Sequence, residues 1–139
     1  MYTNILYATD LTSEHNHLTE KAADFAIKFN ATLYLLHVID LPTSIQLAQS
    51  LGFTELANPV KDDAITVLTL IGETLNIPIK QQFVEIGPIK NHIFNKAREL
   101  NCQLIIIGSH SPTGFPAFLG STAYATVNHA PCDVLILRV

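Results

Sequence analysis

The chain has 139 residues, which is enough for one domain with a sizeable core, and 48% of them are hydrophobic against 14% charged. This balance excludes a disordered chain, and no apolar run approaches the ~18 residues that a membrane-spanning helix needs. The net charge of −4 and the scattered lysines and arginines exclude the basic surface typical of nucleic-acid-binding proteins. The N-terminal stretch MYTNILYATD lacks the features of a signal peptide. We therefore expect a cytoplasmic globular protein with neither nucleic acid nor a membrane as its partner.

The chain begins with a pattern typical of a strand followed by a helix. Residues 4–9, NILYAT, form a short apolar run that stops before Asp10. Residues 13–15, SEH, offer a helix cap, and apolar side chains then follow at helical spacing. We therefore predict a strand over 4–9 and a helix that starts near residue 13 and stops at Asn30.

The next segment combines a buried strand with a long connection. Residues 32–39, TLYLLHVI, are aliphatic without polar alternation, which indicates a strand buried on both faces. Residues 40–58 contain Pro42 and Gly52 and show no sustained period. We predict a long loop there, with a short helical turn at 45–50, and loops of this length in compact domains are often functional.

The second half of the chain alternates helices and strands again. An apolar stripe predicts a helix over about 60–75, which Pro78 ends, and residues 79–86, IKQQFVEI, have the polar centre of a strand near a sheet edge. Gly87-Pro88 opens a third helix, whose stripe consists of Ile89, Ile93, Ala97 and Leu100.

The C-terminal third completes the same alternation. Residues 104–107, LIII, form another doubly buried strand, and a fourth helix is predicted from Gly120-Ser121 to His129. Residues 133–138, DVLILR, are the fifth strand. Five non-alternating strands separated by amphipathic helices predict an α/β fold with a parallel sheet, helices on both faces and right-handed crossovers.

The fifth strand is as apolar as a central one, although the last strand of such a sheet usually lies at an edge. An exposed apolar edge favours aggregation, and a second copy related by a two-fold axis would cover it. We therefore predict a homodimer built around residues 133–139. The alternative is that a helix or the 40–58 loop covers the edge.

Ligands of open α/β sheets bind beyond the carboxyl ends of the strands, at the point where the strand order reverses. The loop at 108–122, GSHSPTGFPAFLGST, follows a strand, opens a helix and contains glycines and hydroxyl residues without any charged side chain. Backbone N–H groups, hydroxyls and a helix N-terminus can bind a phosphate. The alternative is a long loop in which the glycines only permit the backbone conformation and bind no ligand. The loop lacks the lysine of a Walker A motif, and no GxGxxG follows the first strand.

These stretches together resemble the universal stress proteins, a family of small nucleotide-binding α/β proteins. NILYATD resembles the family's first strand and its aspartate, LYLLHVI the second strand, LIIIGSH the fourth, and NHAPCDVLILRV the C-terminal stretch. The resemblance covers essentially the whole chain, 1–139, as one domain. It implies a flavodoxin- or Rossmann-like three-layer fold with strand order 3-2-1-4-5, and a dimer through the fifth strand.

The family's phosphate motif, G-x2-G-x9-G-[ST], occurs here in a changed form. Ser111 replaces the second glycine, and eight residues rather than nine separate it from Gly120. SHSP followed by FLGSTA resembles the F/G-like branch of the family, which has a shortened loop and is associated with adenine-nucleotide binding. The alternative is that these two departures indicate loss of the site.

Residue roles follow from the resemblance alone. Ala8, Thr9 and Asp10 would line the adenine and ribose, and Val38 would meet the adenine edge through its backbone. The remaining positions would lie along the ribose and phosphates: Gly108, His110, Ser111, Gly120, Ser121 and Thr122.

The resemblance implies a sensing or regulatory protein that binds ATP or AMP, with Mg²⁺ as a possible companion of the nucleotide. The phosphate loop has no lysine or arginine that could stabilise a transition state, so any ATPase activity should be slow. The alternatives are a nucleotide-independent dimeric interaction module and a slow ATPase. No metal-binding cluster or catalytic triad is expected. His37 is predicted as a hydrogen-bonded core histidine, and Cys102 as an inert core thiol.

Overall fold

The computed structural model describes residues 1–53, 55, 58–109 and 127–138, apart from the side chains of residues 13–15. Within that part, five strands form one sheet: β1 (Asn4–Ala8), β2 (Thr32–Ile39), β3 (Gln82–Ile86), β4 (Leu104–Gly108) and β5 (Asp133–Leu137). All four neighbouring pairs are parallel, and the order across the sheet is β3-β2-β1-β4-β5. The predicted fold class and strand order are therefore confirmed.

Helices cover both faces of this sheet, as predicted. They are α1 (Ser13–Lys28), α2 (Thr43–Ser50), α3 (Asn58–Leu75) and α4 (Ile89–Glu99). The helices α1 and α3 pack on one face, where Leu18 and Leu68 meet Tyr7. On the other face, α4 packs Ile93 against Leu6. Successive side chains of β1 thus enter opposite cores, which is why its sequence shows no polar alternation.

The connection after β2 differs from the prediction of a loop with a short turn at 45–50. An eight-residue helix, α2, occupies Thr43–Ser50 after Pro42, which serves as its N-cap. None of its residues is buried. A helix that buries nothing needs no apolar stripe, so its sequence lacked the periodicity by which the other helices were predicted.

The start of β3 also differs from the prediction. Residues 79–81, predicted as strand, form a short 3₁₀ turn after Pro78, and β3 begins only at Gln82. The Gln81 N–H donates to the Pro78 carbonyl over 2.9 Å, which closes this turn before the strand can pair. The predicted edge position of β3 is confirmed.

At the opposite edge, β5 is less buried than its neighbour β4. Every residue of β4 is buried, whereas Ile136 of β5 is 39% exposed. The edge position predicted for the fifth strand is therefore confirmed. The helix predicted over 120–129 lies almost wholly outside the described residues, which include only its end at 127–129. Among the described helices, none has the length and apolar character required to cross a membrane.

Candidate functional site

The strand order reverses between β1 and β4, and ligands of open α/β sheets bind beyond the carboxyl ends of the strands at such a point. Ala8 ends β1 with 2% of its surface exposed, and the buried Gly108 ends β4. The Ser109 N–H donates to the Leu137 carbonyl over 2.7 Å, which holds the exit of β4 against β5. Two of the predicted site residues therefore lie at the carboxyl ends of neighbouring strands.

A tight turn follows β1 and is built by side chains. The Leu11 N–H donates to Thr9 Oγ1 over 3.1 Å. The N–H and the hydroxyl of Thr12 both donate to Asp10 Oδ1, over 3.0 and 2.7 Å. Leu11 itself has a φ of +63°, in the left-handed region that costs a branched side chain about 1–2 kcal/mol. Side-chain hydrogen bonds thus hold a strained turn at the predicted adenine and ribose position.

Asp10 lies beside the start of α1, of which Thr12 is the N-cap residue. Its carboxylate is partly exposed and accepts both Thr12 bonds on the same oxygen. The positive end of the α1 dipole favours the ionised carboxylate. An ionised carboxylate repels anions but accepts hydrogen bonds from hydroxyls, so Asp10 can bind a hydroxyl group of a ligand.

His37 of β2 contacts the same turn from the other side. Its Nδ1 lies 2.8 Å from the Thr9 carbonyl oxygen. A carbonyl can only accept, so Nδ1 carries the proton and donates. Burial lowers the pKa of His37 below 6.5, while the Thr9 bond and the nearby Asp10 charge act in the opposite direction. His37 is hydrogen-bonded as predicted, but it is half-buried rather than a core residue.

Val38, predicted to meet the adenine through its backbone, is 8% exposed, and its side chain packs in the core beneath α4. A ligand could therefore approach it only along the backbone. The following residue, Ile39, accepts a hydrogen bond from the Gly87 N–H over 2.9 Å. This bond joins the ends of β2 and β3 and brings the β3–α4 turn to the carboxyl ends of the strands, where Ala8 and Gly108 also lie.

A charged network that sequence reasoning missed supports this β3–α4 turn. Glu85 Oε1 lies 2.8 Å from His92 Nδ1, and its Oε2 lies 2.7 Å from Lys96 Nζ. Lys96 Nζ also lies 4.4 Å from the centre of the Phe83 ring. The His92 ring sits over Gly87, where a Cβ atom would come within 2.3 Å of Nε2. The only sequence signal was the i, i+4 spacing of His92 and Lys96, which places both on one face of α4.

The other predicted site residues lie outside the described part of the chain. They are His110, Ser111, Gly120, Ser121 and Thr122. The described residues include five of the predicted site residues, and both the adenine and ribose side and the phosphate side of the site stay predictions.

Comparison with known proteins gives the family. The model of the universal stress protein family matches residues 1–138. The chain belongs to the universal stress protein family. Universal stress protein A homolog 2 of Coxiella burnetii is 33% identical over 140 residues, which cover 99% of this chain and 96% of that protein.

Solved members of the universal stress protein family share the fold. The structure of universal stress protein UspA from Lactobacillus plantarum matches with a TM-score of 0.67 at 25% identity, covering 99% of this chain and 98% of the other. A universal stress protein solved in complex with cAMP matches with a TM-score of 0.67 at 16% identity, covering 99% and 97% of the two chains. These matches show that the chain shares the fold of those proteins.

Proposed function

We propose that this universal stress protein binds an adenine nucleotide, ATP or AMP, at the carboxyl ends of β1, β2 and β4. Binding would serve a sensing or regulatory role in the cytoplasm. The observation that carries the proposal is the turn from Thr9 to Thr12, which holds a strained backbone and an oriented carboxylate at the switch point of the sheet. Strained backbone that persists only through surrounding hydrogen bonds is typical of ligand sites.

The proposed pose follows from the chemistry of the described residues. Asp10 accepts from the ribose hydroxyls, because its charge suits hydroxyl donors. Ala8 and Thr9 form the wall of the sugar and base pocket, and the backbone of Val38 meets the adenine edge. The solved family member in complex with cAMP supports an adenine nucleotide as the ligand class.

The phosphates would extend from Gly108 toward the uncharged loop that contains His110, Ser111, Gly120, Ser121 and Thr122. That loop offers backbone N–H groups and hydroxyls but no cationic side chain. Such a site binds phosphate through dipoles, with Mg²⁺ able to accompany a triphosphate. It lacks a charge that would stabilise the transition state of phosphoryl transfer, so holding a nucleotide is favoured over cleaving it.

Calorimetric titration with ATP, ADP, AMP and cAMP, with and without Mg²⁺, tests this function. We expect binding of at least one adenine nucleotide. Asp10→Asn should bind about tenfold more weakly, because a hydrogen bond to a charged acceptor contributes about 1.5–3 kcal/mol and one to a neutral acceptor about 0.5–1.5 kcal/mol. Asparagine keeps an oxygen that can accept from Thr12, so the turn should persist. Asp24→Asn, on the exposed side of α1, is the matched control. The absence of binding at millimolar nucleotide would instead favour the nucleotide-independent interaction module.

We further propose that the protein forms a homodimer through β5, residues 133–139. The strand lies at the sheet edge and exposes Ile136 on its surface, while Leu135 packs into the core beneath α1. Ile136→Lys therefore places a charge on the surface of the edge strand and leaves the core packing of Leu135 unchanged. We expect this variant to sediment as a monomer, whereas Ile27→Lys, at an equally apolar and more exposed site, should behave as the unaltered protein. An unchanged sedimentation coefficient for Ile136→Lys would contradict the β5 interface.

A further inference from the structure

The carbonyl group of Thr9 lies just past the end of a strand pairing. The last residue pair between β1 and β2 joins Ala8 to Leu36, so the Thr9 carbonyl lies beyond the regular ladder. Thr9 is only 4% exposed, and a buried carbonyl needs a hydrogen-bond donor. His37 Nδ1 supplies that donor at 2.8 Å. The imidazole thus replaces the backbone N–H that would continue the sheet.

Strand β2 consequently holds Thr9 by both of its backbone groups. The Thr9 N–H donates to the Leu36 carbonyl over 2.9 Å, and the Thr9 carbonyl accepts from His37. Because the peptide group is planar and trans, fixing the Thr9 carbonyl also fixes the direction of the Asp10 backbone. The orientation of the Asp10 carboxylate therefore depends on a side chain 27 residues away in the sequence.

The two sets of hydrogen bonds around Asp10 act on different parts of it. Thr12 fixes the carboxylate through Oδ1, and His37 fixes the peptide group from which the Asp10 side chain starts. Leu11, with its φ of +63°, needs both ends of the turn to be held. If the donor at position 37 is lost, the Thr9–Asp10 peptide can rotate and the turn can relax toward a less strained conformation.

We propose that His37 is a positioning residue of the nucleotide site: its Nδ1–H fixes the Thr9 carbonyl and thereby aims Asp10 at the ligand. This inference rests on the proposed function. His37 acts through Thr9 and Asp10 rather than by contact with the nucleotide. Neutral and protonated imidazole can both keep a proton on Nδ1, so this positioning does not depend on the charge of the ring.

Three variants separate the hydrogen bond from the packing of the ring. In His37→Asn, the side-chain amide nitrogen can occupy the place of Nδ1. In His37→Gln, the same amide group lies one carbon farther out, near the place of Nε2. His37→Leu fills the space without any donor. A role in packing alone would rank these variants by size and polarity, whereas the proposed role ranks them by the position of the donor.

We would titrate ATP into the unaltered protein and the three variants by calorimetry. We expect His37→Leu and His37→Gln to bind about tenfold more weakly, and His37→Asn to remain within about threefold of the unaltered protein. In the same samples, amide hydrogen exchange at Leu11 and Thr12 should be about tenfold faster in the Leu and Gln variants, because the turn opens more often. The exchange experiment needs no nucleotide. The comparison of His37→Asn with His37→Gln requires only that these two variants fold, so it remains possible if His37→Leu does not.

The outcomes distinguish the two proposals. If the unaltered protein binds no nucleotide, the proposed function fails and the role of His37 toward nucleotide fails with it. If the unaltered protein binds ATP and the Leu and Gln variants bind equally well, only the inference about His37 is overturned. Equal binding and exchange in the Asn and Gln variants would overturn it as well, since the position of the donor would then be immaterial.

Discussion

Replacing Lys96 by methionine tests the charged network behind the β3–α4 turn. Lys96 Nζ lies 2.7 Å from Glu85 Oε2 and 3.1 Å from Glu99 Oε2, and its side chain is 8% exposed. Methionine keeps most of the apolar stem that packs near Phe83 but removes the charge. The change therefore leaves the Glu85 carboxylate with His92 as its remaining partner in the network.

The geometry sets the size of the effect. Removing one partner of a fully buried ion pair costs about 3–5 kcal/mol, and an exposed pair contributes about 0.2–1 kcal/mol. Glu85 is 26% exposed and Glu99 is 65% exposed, so solvent can partly replace the lost lysine. We therefore expect Lys96→Met to lower the free energy of unfolding by about 1–2 kcal/mol, which corresponds to roughly 3–8 °C in Tm for a chain of this length.

Urea unfolding at several pH values is the assay, with Lys90→Met on the exposed side of α4 as control. Burial acts to raise the pKa of Glu85, but the Lys96 and His92 hydrogen bonds outweigh it, so the pKa lies below 4.5. A carboxyl whose pKa is lowered by folding stabilises the protein above its unfolded pKa and loses that contribution as the pH falls. The difference between the two proteins should thus be full at pH 7 and shrink below pH 4.5. Equal stability at pH 7, or an undiminished difference at pH 3, would refute the argument.

Two further substitutions and one reactivity measurement have defined outcomes. Gly87→Ala should lower Tm by several degrees, because φ is +149° there and a Cβ would meet His92 Nε2 at 2.3 Å; an unchanged thermal melt would contradict this. Gly120→Asp should abolish nucleotide binding in calorimetry, since it places a like charge at the proposed phosphate position, and retained affinity would move the phosphates elsewhere. Burial raises the pKa of the Cys102 thiol to about 12 and that of the Cys132 thiol to about 11. Both thiols should therefore react with a thiol reagent at pH 8 far more slowly in the native protein than in urea. Equal reaction rates in the native and the urea-unfolded protein would contradict these raised pKa values.

The sheet could be predicted from the sequence because its strands are buried on both faces. Residues 32–39 were predicted as a strand and form β2 with those same bounds, since a continuous aliphatic run has few other places to lie. The same reasoning failed for α2, which buries no residue and so leaves no periodic signal. It also misjudged residues 79–81, where the turn after Pro78 delays the strand.

The candidate site also combines features that the sequence indicated with contacts that it did not. Asp10 was expected at the site from the family resemblance; it follows β1, one of the two strands between which the strand order reverses, and its role toward a ligand stays a prediction. The contact between His37 and Thr9 could not be predicted, because it joins residues 28 positions apart and depends on how far β2 extends past β1. Nothing in the sequence marks Lys96 as a buried lysine of α4, and its ion pairs with Glu85 of β3 and with Glu99 make that burial tolerable.

The sequence by itself determined the alternation of strands and helices, the central and edge positions in the sheet, and the family, because these depend on local patterns of burial and on short motifs. Only the tertiary structure decided which side chains hold the turn after β1 and which charges support the turn after β3. Those contacts depend on strand register and on the packing of α4 against the sheet. Both are set by the whole core rather than by any single segment.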